Sequence, residues 1–177
     1  MRTDFQIRIV CLAFLSALCA VASEQDQSDV WQPFRFMIGE WAGGGSGQPG
    51  EGVGQFTVAV DLNKKVLIRR NHAEYPAKSG QPKGPAHDDL MIIYPQGAQV
   101  GFRAEYFDSE GHVIHYAVSF PPGKVVFESD NASDGPRFKL VYEMKSADVL
   151  GIEFDMAAPN RDYHPYLTGT VHRKPPN

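Results

Sequence analysis

Six histidines and 21 acidic residues are the groups with which this chain could move protons or hold ligands. The two cysteines lie at positions 11 and 19. In "IRRNHAEY" (68–75), His72 shares the parity of a β-strand with Ile68, Arg70 and Glu74. A histidine between an arginine and a glutamate suits acid–base work or the anchoring of a ligand; an exposed polar strand face has the same pattern. "AHDDL" sets His87 beside Asp88 and Asp89, a pairing that can tune an imidazole, but no nucleophile stands with it. Ser46 lies between glycines without the strand-to-helix elbow that activates a serine. His112 and His115 are three apart and fall on opposite faces of a strand, with Asp108 and Glu110 in the turn before them. No set of residues is assigned to a metal, and the carboxylates are too scattered to locate a hydrolytic pair.

These groups must be positioned by short elements. Runs of five to ten residues rich in Val, Ile, Phe and Tyr recur between clusters of Gly, Pro, Asp, Asn and Lys, which is the rhythm of an all-β meander. Ten strands are expected, over 41–47, 54–61, 65–75, 88–94, 99–107, 112–120, 124–129, 137–145, 149–156 and 163–173. "DLNKK", "DSEGH", "PPGK" and "KSAD" are too short for parallel crossovers, so neighbours are antiparallel. The longer polar loop 76–87 could lie across an opening of the sheet. Ser28 or Asp29 could cap a short helix carrying Val30, Trp31, Phe34 and Met37, which would plug one end. Ten sequential strands escape exposed edges only by closing, so the expected fold is a closed ten-stranded antiparallel up-and-down barrel with a short N-terminal helix.

Alternation gives some faces at once. Leu150, Ile152, Phe154 and Met156 oppose Gly151, Glu153 and Asp155; Phe138, Leu140, Tyr142 and Met144 oppose Lys139, Val141 and Glu143. In "HVIHYAVSF" the bulky row Ile114, Tyr116, Val118, Phe120 faces away from Val113, His115, Ala117 and Ser119, and either face could line a cavity. Barrels of this size can hold one small ligand. Trp41, Gly43, Gly45, Arg70, His72, His115 and Tyr166 are the candidate ligand-binding residues.

The N-terminus has the order of a secretory signal. Arg2 and Arg8 precede the apolar run "IVCLAFLSAL", and Ala20-Val21-Ala22 forms a small-x-small cleavage pattern. Residues 1–22 are therefore expected to be removed, leaving 23–177 as a single domain, periplasmic or secreted and free of cysteine. The formal net charge of −4, without blocks of one sign, asks for no nucleic acid, and no later apolar run has membrane length. Asn131-Ala132-Ser133 matches a glycosylation sequon. The Gly-rich run 43–54 lacks the G-K-[ST] and following helix of a phosphate-binding loop.

"IGEWAGGGSG" resembles the G-x-W-x-G-x-G-x-G signature of the nitrobindin family, matching at Gly39, Trp41, Gly43, Gly45 and Gly47. It is also similar to the start of lipocalin-like and fatty-acid-binding-protein-like domains, all calycin barrels. The resemblance implies a ten-stranded barrel and, for nitrobindins, a b-type haem held by a last-strand histidine that closely follows a proline. The matching words here are "HPYLTGTVHRK", in which Tyr166 stands where that histidine is expected; Tyr166 and His164 would then be the haem residues. The residues themselves call for no cofactor. The expected function is to bind a small, largely apolar molecule inside the barrel, with haem binding and a small-pocket isomerase or cyclase as the alternatives.

Overall fold

A computed structural model describes residues 29–77, 79–80, 84–97, 101–130 and 135–175. The signal segment 1–22, the cap candidate Ser28, Gln99 and the sequon 131–133 lie outside them. Ten strands form one closed barrel: β1 (Gly39–Gly47), β2 (Gly52–Asp61), β3 (Val66–Glu74), β4 (Ala86–Gln96), β5 (Gly101–Asp108), β6 (Val113–Ser119), β7 (Lys124–Ser129), β8 (Arg137–Ser146), β9 (Val149–Ala157) and β10 (His164–Arg173). Each strand pairs antiparallel with its sequence neighbours, and β1 closes on β10. This is the expected meander, closed as the argument from exposed edges requires.

The expected helix is instead a single 3-10 turn, Gln32–Phe34. Pro33 lies within it and supplies no N–H, and the next residues must turn at once into β1, so there is no length for a regular α-helix. The turn still plugs the barrel. Trp31, Phe34 and Met37 are buried; the Trp31 ring meets Phe102, and Phe34 is edge-on to Phe102 and Phe120 at 5.1 Å between ring centres. Asp29 holds the chain before it, accepting from the Trp31 amide at 3.1 Å and from Arg35 Nε at 2.8 Å. Trp31 Nε1 donates to the Lys64 carbonyl in the β2–β3 turn at 3.1 Å. Arg173, from the last strand, donates to the Ile38 and Phe36 carbonyls at 2.8 and 3.1 Å and lies 4.2 Å over the Trp41 ring. The end of the chain thus clamps the beginning.

The glycines of β1 serve closure. A Cβ on Gly45 would stand 2.6 Å from the Thr168 carbonyl oxygen, and on Gly43 or Gly47 it would be closer still to the carbonyls of Thr170 and Tyr166. The backbone of β10 therefore crosses the space that side chains would need, and only glycine lets the two strands coil together this tightly. Gly43 and Gly45, whose bare face could admit either a ligand or another backbone, have a strand packed against them.

Candidate functional site

Strand parity decides what lies inside. On β3 the inward residues are Leu67, Arg69, Asn71 and Ala73, and on β4 His87, Asp89, Met91 and Ile93. The expected polar candidates fall on the other face. Arg70 is exposed, and the His72 side chain is 40% exposed, bonded to Asp88 at 2.7 Å and to Glu74 at 3.3 Å on the outer wall. Together with Gln55, Thr57 and Leu90 they line an open depression of about 730 Å³ outside the barrel. His115 is also outward, paired with Glu105, because Ile114, Tyr116 and Val118 take the inward positions of β6. These three are corrections. The run Arg69-Arg70 puts one arginine on each face, and Leu67 with Ile68 leaves hydrophobicity on both.

Arg69 is the cation that enters the barrel. It is 6% exposed, ion-paired with Asp89 at 9%, and its guanidinium lies 5.3 Å from the centre of the Phe56 ring and 5.7 Å from that of Tyr142. Burial alone would raise the Asp89 carboxyl, but the Arg69 charge, with help from His87 and Asn71, holds it below the usual carboxylate range. Burial pushes the Tyr142 phenol up to about 12 and raises those of Tyr106 and Tyr116 as well, so all three stay protonated. Edge-to-face contacts run Phe56–Tyr142–Phe127–Tyr116–Tyr106 across the middle of the barrel, with centres 5.5 to 6.4 Å apart. An aromatic layer with one paired charge in it therefore divides the interior.

Below this layer the plug end is packed out. Trp41, a ligand-binding candidate in the sequence, is fully buried there and donates through Nε1 to the Met37 carbonyl at 2.8 Å, so it closes the floor. Above the layer the inward residues Ala73, Tyr106, Ile114, Phe138, Ile152 and Phe154 are only half-buried, although they point into the barrel. Phe138 and Phe154 stack with centres 5.9 Å apart, and Tyr166 meets Phe154 edge-on at 6.0 Å. Tyr75, just beyond β3, comes within 2.8 Å of where a Cβ on Gly52 would stand, which brings its ring over the start of β2. At this end of the barrel apolar and aromatic side chains are thus turned inward yet remain partly accessible.

The rim carries the polar groups that the sequence showed only in pieces. Asp89 pairs across the sheet with Asp108, and the Ser109 amide donates to the Asp88 carbonyl at 2.9 Å, which brings His87 opposite Glu110. His87 Nδ1 is 2.9 Å from Glu110 Oε2, while Nε2 is 3.0 Å from the Tyr106 hydroxyl and 3.4 Å from Asp89 Oδ2. Hydrogen bonding to Asp89 is the main reason that the His87 pKa is raised. The adjacency of His87 and Asp89 was legible; the register that joins them to the β5–β6 turn was not.

The last strand does not fit a haem held by a histidine from that strand. A bulge between Pro165 and Leu167 resets its alternation, so the inward positions are Leu167, Gly169 and Val171. His172 pairs with Ala42 and Val149 on the outer face, and His164 is exposed at the end of the strand, opposite Met156. Tyr166 sits at the bulge, half-buried against Phe154. His164 thus shares the side of Met156 but stands exposed at the strand's end, and His172 is outward, so neither histidine of β10 is enclosed by the barrel.

No protein-family model matches the chain, and no curated protein matches it in sequence. Solved structures do share its fold. A crystal structure of Rv2717c from M. tuberculosis superposes with a TM-score of 0.59 at 15% identity, covering 82% of this chain and 98% of that one. The S-type phycobiliprotein lyase CPES from Guillardia theta superposes with a TM-score of 0.53 at 9% identity, covering 84% and 94%. These similarities show a shared fold, the closed ten-stranded antiparallel barrel, whose aromatic interior is seen in this chain's own ring contacts.

Proposed function

We propose that the protein binds a small, largely apolar molecule in a bowl above the Phe56–Tyr142–Phe127–Tyr116 layer. What carries this reading is that Ile114, Phe138, Ile152 and Phe154 point inward yet stay half-buried, whereas inward residues at the plug end are packed out. Apolar surface left accessible inside a concavity is the usual form of a small-molecule site. The stacked Phe138 and Phe154 rings suit a flat ligand, which would lie against them and over the aromatic floor. The order of residues 1–22 supports export with cleavage near Ala22, which N-terminal sequencing of the mature protein would test.

The test uses Nile red as an apolar probe. Its emission should shift to the blue and saturate at one dye per chain. Ile152→Trp, which fills the bowl, should abolish the shift with the fold intact by circular dichroism, while His115→Ala on the outer wall should leave it unchanged. A dye signal that is absent, or that survives Ile152→Trp, overturns the proposal.

A further inference from the structure

We propose that His87, Glu110 and Asp108 form a site at the barrel rim for one divalent first-row transition cation. Their ligand atoms lie within 4.8 Å of one another. One imidazole with two carboxylates is a donor set that suits zinc and its neighbours in the series. The separation of 2.9 Å between His87 Nδ1 and Glu110 Oε2 matches two ligands held at right angles, each roughly 2.1 Å from one ion, and a tetrahedral zinc would need them to part by about 0.5 Å.

The argument rests on how the His87 ring is held from behind. Asp89 is 4% exposed in its side chain and is fixed by Arg69 and by Asn71 Nδ2 at 2.9 Å. Its Oδ2, which only accepts, faces His87 Nε2 at 3.4 Å, so the Nε2 proton is directed there and Tyr106 accepts beside it. The remaining nitrogen, Nδ1, then points a lone pair at the Glu110 carboxylate. In the imidazolium a proton fills this 2.9 Å gap; in the neutral ring with Nε2 protonated, the two facing acceptors leave a place that a metal cation can take. A carboxylate on the far nitrogen of a histidine is also the arrangement that orients metal-binding imidazoles and makes them more basic.

Asp108 completes the set from the turn. One of its oxygens accepts from the Glu110 and His112 amides at 3.1 and 2.8 Å, and the other meets His112 Nδ1 at 2.8 Å. These bonds lock the carboxylate in place; they fill both lone-pair sites of Oδ1 and leave Oδ2 one for a cation. The site belongs to two hairpins, β3–β4 and β5–β6, so an ion there would tie their ends together beside the mouth of the bowl. It does not depend on what the bowl binds.

The experiment is calorimetric titration of the chelator-stripped full chain with Zn²⁺ at neutral pH. One saturable equivalent is expected, weakened at least about 10-fold by His87→Asn and by Glu110→Gln, each checked for an unchanged circular dichroism spectrum. His72→Asn removes the other histidine set between two carboxylates and should leave that equivalent intact. Absence of saturable binding would mean that a proton alone bridges Nδ1 and Glu110, and overturns the proposal. Binding that survives both rim substitutions, or is lost with His72, overturns it as well.

Discussion

The Arg69 guanidinium and the Asp89 carboxylate form an ion pair inside the barrel, with side-chain exposures of 7% and 4%. Phe56 and Tyr142 flank the arginine, so neither charge has water to fall back on. Removing one partner leaves the other charge buried and uncompensated, a loss of about 3–5 kcal/mol. Arg69→Met should therefore lower stability by an amount of that order in urea unfolding. Arg70→Ala, one residue away on the outer wall, should change it by no more than about 0.5 kcal/mol.

The β1–β10 seam offers a second test. Gly43→Ala drives a Cβ into the Thr170 carbonyl, which is backbone and cannot rotate aside. Forcing the strands apart should cost about 1–3 kcal/mol, the usual range for overpacking. Ser46→Ala on the exposed face of the same strand should be close to neutral, and thermal melts of the two variants would make the comparison.

His72 predicts a dependence on pH. Its pKa is raised, chiefly by the hydrogen bond to Asp88 and then by that to Glu74. A raised folded-state pKa means that the folded chain holds the proton more tightly. The stabilisation is fully present below the unfolded value near 6.5 and is lost as pH climbs through the higher folded value. Urea midpoints measured with chelator present should fall as pH rises above the unfolded value near 6.5 and through the higher folded one, and Asp88→Asn should make that slope shallower.

Haemin gives a fourth test. With His172 on the outer face and His164 exposed at the end of β10, addition of haemin should produce no saturable Soret shift that depends on either residue. A shift abolished by His164→Ala would contradict the placement of that residue at the exposed end of the strand.

The meander and its closure were legible because both are properties of pattern. Short alternating runs cannot be long helices, tight turns between them allow only antiparallel neighbours, and ten such strands avoid free edges by closing. Parity was legible where one face is clearly dry, as in Leu150, Ile152, Phe154. It failed where both faces carry apolar and charged groups together, as in "VLIRRNHAE", because a shift of one residue exchanges every side chain between core and solvent. In β10 it failed for another reason: the bulge at Pro165/Leu167 adds a residue that no alternation count contains.

The sequence by itself determined the all-β class, the number of strands and the aromatic plug. Only the tertiary structure decided that Arg69 rather than Arg70 is inside, that the glycines admit a strand instead of a ligand, and that His87 meets Glu110. The physical reason is that local patterning records how water partitions along one strand. Register across strands, which brings together side chains up to 23 positions apart at this rim, is set by the barrel as a whole.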